Sequence, residues 1–309
     1  MLDLIEPLVN LSVHDFAPPS PAGPIATDGA SFYWTTLTKL RSAPKAGSPL
    51  GVDASMTVIE ASVSALASDA TSIYWSGQDG LQSRSSVGAS SPPKTLAANA
   101  SSITIAVDAT DLYFSHAGIF RVPLAGGAVV KLADAPPDVH ALALDATSIY
   151  YRTDTDVLRL PKSGGTPTNL LHAAGMAMVL LGSKLYVDND VGGLVQYAIL
   201  PVEGGAPEVL DLGSTHVDGL TGYDGALYFV KARNAIRRVP VDGSAPSEVN
   251  VSFFYPPSAL VVDSTGVYWI DKRQSCQLQT YSQGPDDPGG STCEEGLFET
   301  LVLRLPVVF

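Results

Sequence analysis

An all-β fold, a seven-bladed β-propeller with four antiparallel strands per blade, is what the sequence predicts, and three observations carry it. Aromatic anchors recur at Tyr33, Tyr74, Tyr113, Tyr150, Tyr186, Tyr228 and Tyr268, with gaps of 41, 39, 37, 36, 42 and 40 residues. Each anchor lies in a short run rich in β-branched and aromatic residues, and a period near 40 built from several short strands marks a propeller blade rather than a helical solenoid. Charged residues make up only 16% of the 309, while the chain holds 28 Gly and 23 Pro, a composition suited to many buried strands joined by tight turns.

One copy, residues 141–170, shows the plan. Residues 141–144 form the innermost strand, A, and Asp145-Ala146-Thr147 turn the chain into strand B at 148–151. The equivalents of B are FYW at 32–34, IYW at 73–75, LYF at 112–114, LYV at 185–187, LYF at 227–229 and VYW at 267–269. Strand C, 157–160 here, recurs as IFRVP, LVQYAILP, AIRRVP and LVLRLP. It is expected to stop at Pro123, Pro161, Pro201, Pro240 and Pro306, because proline cannot donate to a ladder. Gly126-Gly127, Gly164-Gly165, Gly204-Gly205 and Gly243-Ser244 supply the turn into strand D, which reads VVKL, TNLL, PEVL and SEVN.

The last copy has A at 259–263, B at 267–271 and C at 301–305, after a polar loop insertion at 272–298. Only Val307, Val308 and Phe309 remain, so the missing strand D is assigned to the amino terminus, about residues 3–11. That closure joins first blade to last and removes open sheet edges. Residues 1–309 therefore read as a single domain, consistent with a closed repeat architecture. The segments IYWSG and VYWID with the following I/L-R-V/L-P stretches resemble YWTD and related bacterial propeller repeats over residues 25–309. The resemblance implies the fold; Trp stands only at Trp34, Trp75 and Trp269, so it does not extend to a receptor-type ligand.

A net charge of −13 and a sequence pI near 4.6 exclude the electrostatic footprint of a nucleic-acid partner or an anionic membrane. No apolar run is long enough to span a bilayer, and the first 24 residues lack a basic start followed by an apolar core. Cys276 and Cys293 bracket a loop poor in apolar residues, which predicts a disulfide worth roughly 3 kcal/mol in the chain-entropy model. An extracytoplasmic location (secreted, periplasmic or surface) follows from that bridge, with a leader removed; without the bridge the chain reads as cytoplasmic. A monomer is expected.

The candidate site residues come from the loops. Asp28, Asp69, Asp108, Asp145 and Asp263 recur five residues before the anchor, where an A to B turn uses Asp to cap its own backbone, so they are read as structural. His14, His140, His172 and His216 fall in D to A connections and His116 in a B to C hairpin, which topology brings to one face. His140, His172 and His216, with Asp218, are the candidate ligands for a divalent metal ion on the propeller axis, since neutral imidazole suits Zn, Cu, Fe and Ni. His14, His116, Asp154, Asp188 and Asp190, with Asp156, add to a ligand face; the acidic runs RTDTD and VDND could favour a cation there, but are read first as solvated hairpin tips. The Gly pairs lie between strands and do not cradle phosphate, no serine lies in a nucleophile-elbow context, and Asp286, Asp287, Glu294 and Glu295 lack calcium-loop spacing.

Two functions follow. The first is a binding propeller that takes a small molecule, glycan or protein partner at the mouth of its central channel. The second is a metal-dependent lyase or hydrolase, in which a His-ligated metal polarises a carbonyl or activates water, as in propeller lyases and lactonases.

Overall fold

The computed structural model describes residues 6–11, 24–35, 39–45, 56–86, 92–100, 102, 104–191, 194–212, 217–251, 253, 257, 259–274, 278–281, 290–293 and 298–305. Among them every regular element is a β-strand. Six four-stranded antiparallel sheets are each built from consecutive strands. The first runs Ile25–Thr27, Ser31–Thr35, Leu40–Pro44 and Met56–Ile59, and the fourth runs Val139–Leu144, Ser148–Thr153, Asp156–Pro161 and Thr168–His172. A seventh four-stranded sheet is assembled from both ends of the chain, in the order Val261–Asp263, Gly266–Gln274, Phe298–Leu305 and Glu6–Leu11. The amino-terminal strand pairs antiparallel with the carboxy-terminal one, Glu6 opposite Arg304 and Leu11 opposite Thr300.

The innermost strands make the ring. Ile25–Thr27, Val63–Ser68, Ile105–Val107, Val139–Leu144, Met178–Leu181, Val217–Tyr223 and Val261–Asp263 contact one another in succession, and the last contacts the first. The hydrophobic core is correspondingly divided into wedges between adjacent sheets. Tyr150 and Val157 of the fourth sheet pack with Leu185, Val187 and Leu200 of the fifth, and Phe32, Trp34 and Ala43 of the first pack with Tyr268 and Ile270 of the seventh. Strand B is buried on both faces because each sheet is sandwiched between two others, which explains its continuous apolar run. All seven anchor tyrosines are buried.

The A to B turns follow from their aspartates. Asp145 Oδ1 accepts the amides of Thr147 at 2.7 Å and Ser148 at 2.6 Å, and its Oδ2 accepts the Tyr150 hydroxyl at 2.6 Å. Asp28 with Tyr33 and Asp69 with Tyr74 repeat the arrangement at 2.9 and 2.7 Å. Burial opposes ionisation of Asp28, Asp69 and Asp145, yet these donors outweigh it and hold each carboxyl below its ordinary value. The same contacts, added to burial, push Tyr33, Tyr74 and Tyr150 up to about 12.

At the C to D turns the amides of Gly126, Gly164 and Gly204 donate to the carbonyls of Pro123, Pro161 and Pro201. Gly164 takes φ +86° and Gly126 +88°, a conformation that strains any residue with a Cβ. Pro123, Pro161, Pro201 and Pro240 are the last residues of their C strands, Pro161 standing opposite Ser148 and Pro240 opposite Ala226, while Pro306 lies outside the described residues. Their missing amides fall where the ladder ends.

The described residues of the insertion at 272–298 lie in strands. Strand B of the seventh sheet continues through Gln274, paired with Phe298, and Leu278–Tyr281 pairs with Gly290–Cys293 as a separate ribbon. Cys276 lies outside the described residues, as do His14, His216, Asp286, Asp287, Glu294 and Glu295.

Candidate functional site

The D to A and B to C connections share one face of the ring, and there the fourth, fifth and sixth sheets differ from the rest. Ten residues before the anchor stand His140, Met176 and Asp218, at the entrance to three neighbouring innermost strands. His140 occupies a register shift between Val139 and Ala141. An extra residue of this kind re-aims a side chain at a sheet rim. Its Nε2 lies 2.5 Å from Asp154 Oδ1, in the B to C turn of the same sheet. That turn is fixed by Thr153, whose Oγ1 accepts the amides of Thr155 and Asp156 at 3.4 and 3.1 Å.

Met176 is 66% exposed, an uncommon state for so apolar a side chain. Its loop is clamped from behind: Asp188 accepts the amides of Met176 at 3.2 Å and Ala177 at 2.9 Å, while the Asp190 amide donates to the Ala174 carbonyl at 2.7 Å. Asp188 also meets Arg152, whose NH2 lies 3.2 Å from Asp188 Oδ1 and donates to the Asp188 carbonyl at 2.6 Å. The Arg152 side chain is fully buried. Burial pulls its pKa down and the Asp188 charge works against that pull. Gly175, at φ +150°, passes so close to this pair that a Cβ there would collide with both side chains. In the sixth sheet Asp218 Oδ2 stands 4.0 Å from Arg233 Nε, in the B to C turn. The Asp188 and Asp218 charges, after burial, push Tyr197 between them up to about 12.

His140 and His172, two of the predicted metal ligands, are not brought together, and His216 lies outside the described residues. His172 ends the outermost strand, is 85% exposed, and places Nδ1 2.6 Å from Asp156 Oδ1. His140 is on the innermost strand of the same sheet. Three inter-strand spacings, about 14 Å, separate the two strands, so both imidazoles cannot bind one ion on the axis. Among the described residues no set of three or more His, Cys, Asp and Glu side chains is placed to hold a metal. His116 is exposed in its B to C turn, where its amide bonds the Gly118 carbonyl. Asp188 and Asp190 are not hairpin tips: both lie within strand Lys184–Val191, and Asp188 is turned into the Arg152 pair.

Sequence reasoning passed over Arg152, Met176, Gly175 and Arg233. The signal for Arg152 was present two residues after the anchor, where the first three copies have Thr35, Ser76 and Ser115. The hydroxyls there are buried, and Ser76 Oγ accepts the Ser102 amide at 2.8 Å. A guanidinium in that slot demands a counter-charge from the next sheet, which is where Asp188 stands.

No protein-family model matches the chain, and no curated protein does. Solved structures do resemble it. The computationally designed Ika8 protein is 12% identical, with 95% of this chain and 98% of that one covered at a TM-score of 0.61. The extracellular domain of BT4673 from B. thetaiotaomicron, assigned to a hybrid two-component system, is 12% identical at a TM-score of 0.62; the match covers 88% of this chain and 40% of that one. BamB from Moraxella catarrhalis is 10% identical over 93% and 83%, at a TM-score of 0.54. At these identities the likeness is one of fold, an all-β propeller with four antiparallel strands per blade.

Proposed function

We propose that the chain is a binding module whose loop face, at the mouth of the central channel, takes a small molecule, glycan or protein partner. One observation carries the reading: three adjacent blades carry His140, Met176 and Asp218 ten residues before the anchor, at the start of their innermost strands, backed by Asp154, the Arg152–Asp188 pair and Arg233. An exposed thioether flanked by a hydrogen-bonding imidazole and a carboxylate offers apolar contact with polar selectivity, the usual make-up of a recognition patch. In this reading the ring is a seven-bladed, YWTD-like propeller acting as a monomer. The Cys276–Cys293 bridge and an extracytoplasmic location belong to the same proposal, and the extracellular neighbour of like fold supports the location.

Glycan and peptide arrays probed with the wild-type protein, Met176→Asp and Asp218→Arg test the patch. A ligand bound by the wild type and lost in both variants is expected; ligands bound equally by all three would place recognition elsewhere. Elemental analysis of untagged protein, repeated on His140→Ala and His216→Ala, separates this reading from a metal-dependent lyase or hydrolase. Stoichiometric metal lost in both variants would replace the binding reading.

A further inference from the structure

The residue after strand C is held in one place in the first six blades by a repeated backbone bond. The amides of Lys45, Ser86, Leu124, Lys162, Val202 and Val241 donate to the carbonyls of Ala30, Thr71, Thr110, Thr147, Ser183 and Gly225 in their own sheets. From this slot side chains reach toward the anchor tyrosine of the preceding blade. Lys162 Nζ bonds Asp108 Oδ2 at 2.7 Å and stands 5.4 Å from the centre of the Tyr113 ring. Lys45 bonds Asp263 and stands 5.2 Å from the Tyr268 ring. Leu124 packs with Tyr74, and Val202 with Tyr150.

Between the first and second blades the slot holds Ser86, the smallest side chain of the set, facing Asp28 and Tyr33. The residue opposite the anchor across the B to C ladder is small here too. Ser42 faces Tyr33, where the third, fourth and sixth blades have Arg121, Arg159 and Arg238. The result is a cleft of about 190 Å³, lined by Ser31, Tyr33, Ser42 and Ser86 with Ile73 and Arg84 on its walls.

We propose that this cleft binds an aliphatic primary ammonium group, in the position that the Lys45 and Lys162 ammoniums hold at their own interfaces. The aspartate–tyrosine pair that receives those lysines is present, with the Tyr33 hydroxyl on Asp28 Oδ2 at 2.9 Å. The ring offers its negative face to a cation and its apolar surface to a hydrocarbon stem. Hydroxyl oxygens of Ser31, Ser42 and Ser86 supply acceptors, and the Asp28 charge lies behind them. Arg84, which donates to the Val58 carbonyl at 3.2 Å, gives the site a polarity.

Titration of n-butylammonium chloride into the wild-type protein at constant ionic strength, followed by calorimetry and by tyrosine NMR shifts, tests the assignment. Saturable binding with a dissociation constant of about 1 mM is expected. Ser86→Lys installs the residue that two other blades carry, fills the cleft from within, raises the melting temperature and weakens butylammonium binding at least ten-fold. Asp28→Asn weakens it as well and serves should the lysine variant not fold. Failure of the wild type to bind saturably, unchanged binding by both variants, or equal binding of 1-butanol overturns the proposal. Parallel titration with N-acetyl-lysinamide separates the sources. Binding of both probes assigns the site to lysyl side chains as well as free amines, and binding of butylammonium alone assigns it to a free amine.

Discussion

Replacing Lys162 by Met isolates the electrostatic part of one blade-to-blade latch. The variant keeps the hydrocarbon stem over Tyr113 and removes the ammonium from Asp108, a contact of 2.7 Å between side chains only 16% and 24% exposed. Exposed ion pairs contribute below about 1 kcal/mol, whereas hydrogen bonds to charged groups at partly buried sites contribute about 1.5–3 kcal/mol. The ring contact adds about 0.5 kcal/mol. A loss of about 2 kcal/mol is expected, seen as a lower urea midpoint at unchanged slope and a melting temperature lower by about 4 °C. The pH dependence tests the cause. Burial opposes ionisation of Asp108, but Lys162 and the amides of Thr110 and Asp111 outweigh it and hold the carboxyl well below the usual range. Its folded pKa is thus below its unfolded value of about 4, so its contribution is complete above that value and is lost as pH falls. The deficit of the variant must therefore shrink toward the acid end. An unchanged midpoint at neutral pH, or a deficit that stays constant into acid, refutes the reasoning.

Gly175→Ala is expected to break the Arg152–Asp188 pair by collision and backbone strain, costing about 3 kcal/mol because it strands a buried charge; denaturant titration measures it, and a neutral result would mean the loop is not clamped as described. Tyr33, Tyr74, Tyr113, Tyr150, Tyr151 and Tyr197 are all pushed up to about 12. A spectrophotometric titration should therefore show half of the 12 tyrosines ionising well above pH 10, with stability falling from pH 10 upward as the unfolded phenols ionise first. Alkylation of unreduced protein should leave Cys276 and Cys293 unlabelled in a mass spectrum; labelling of both would remove the bridge and the argument for an extracytoplasmic location.

Much of the fold was legible because a blade repeats its needs. The aromatic run of strand B, the aspartate of the A to B turn and the glycines after strand C each answer a local requirement, so their spacing reports the sheet directly. Strand ends were less legible. Strand Val139–Leu144 begins two residues before the alternation at 141, and Lys184–Val191 extends through acidic residues that read as a turn. The ladder, not propensity, carries those residues. The separation of His140 from His172 was illegible for a different reason. Chain order shows that a residue reaches one face but not its radius from the axis, and His172 lies at the outer edge while His140 lies at the inner. Arg152 was hidden because its partner comes from another sheet.

The two faces of the ring carry different kinds of information. On the A to B side, Asp28, Asp69 and Asp145 repeat one network of amide and phenol bonds. A residue that repeats so regularly is explained by the blade, and what varies there is the slot from the next blade: lysine, leucine, valine or serine. Lys45, Leu124, Lys162 and Val202 pack against the preceding blade, whereas Ser86 coincides with the described cleft. On the opposite side the requirement of the blade is weaker, and the slots diverge into His140, Met176 and Asp218. Function on a repeat scaffold should concentrate where the copies depart from one another without a packing reason. By that criterion the inner rim of the fourth to sixth blades and the Ser86 cleft are separate sites, and substitutions at Met176 should leave amine binding at the cleft unchanged.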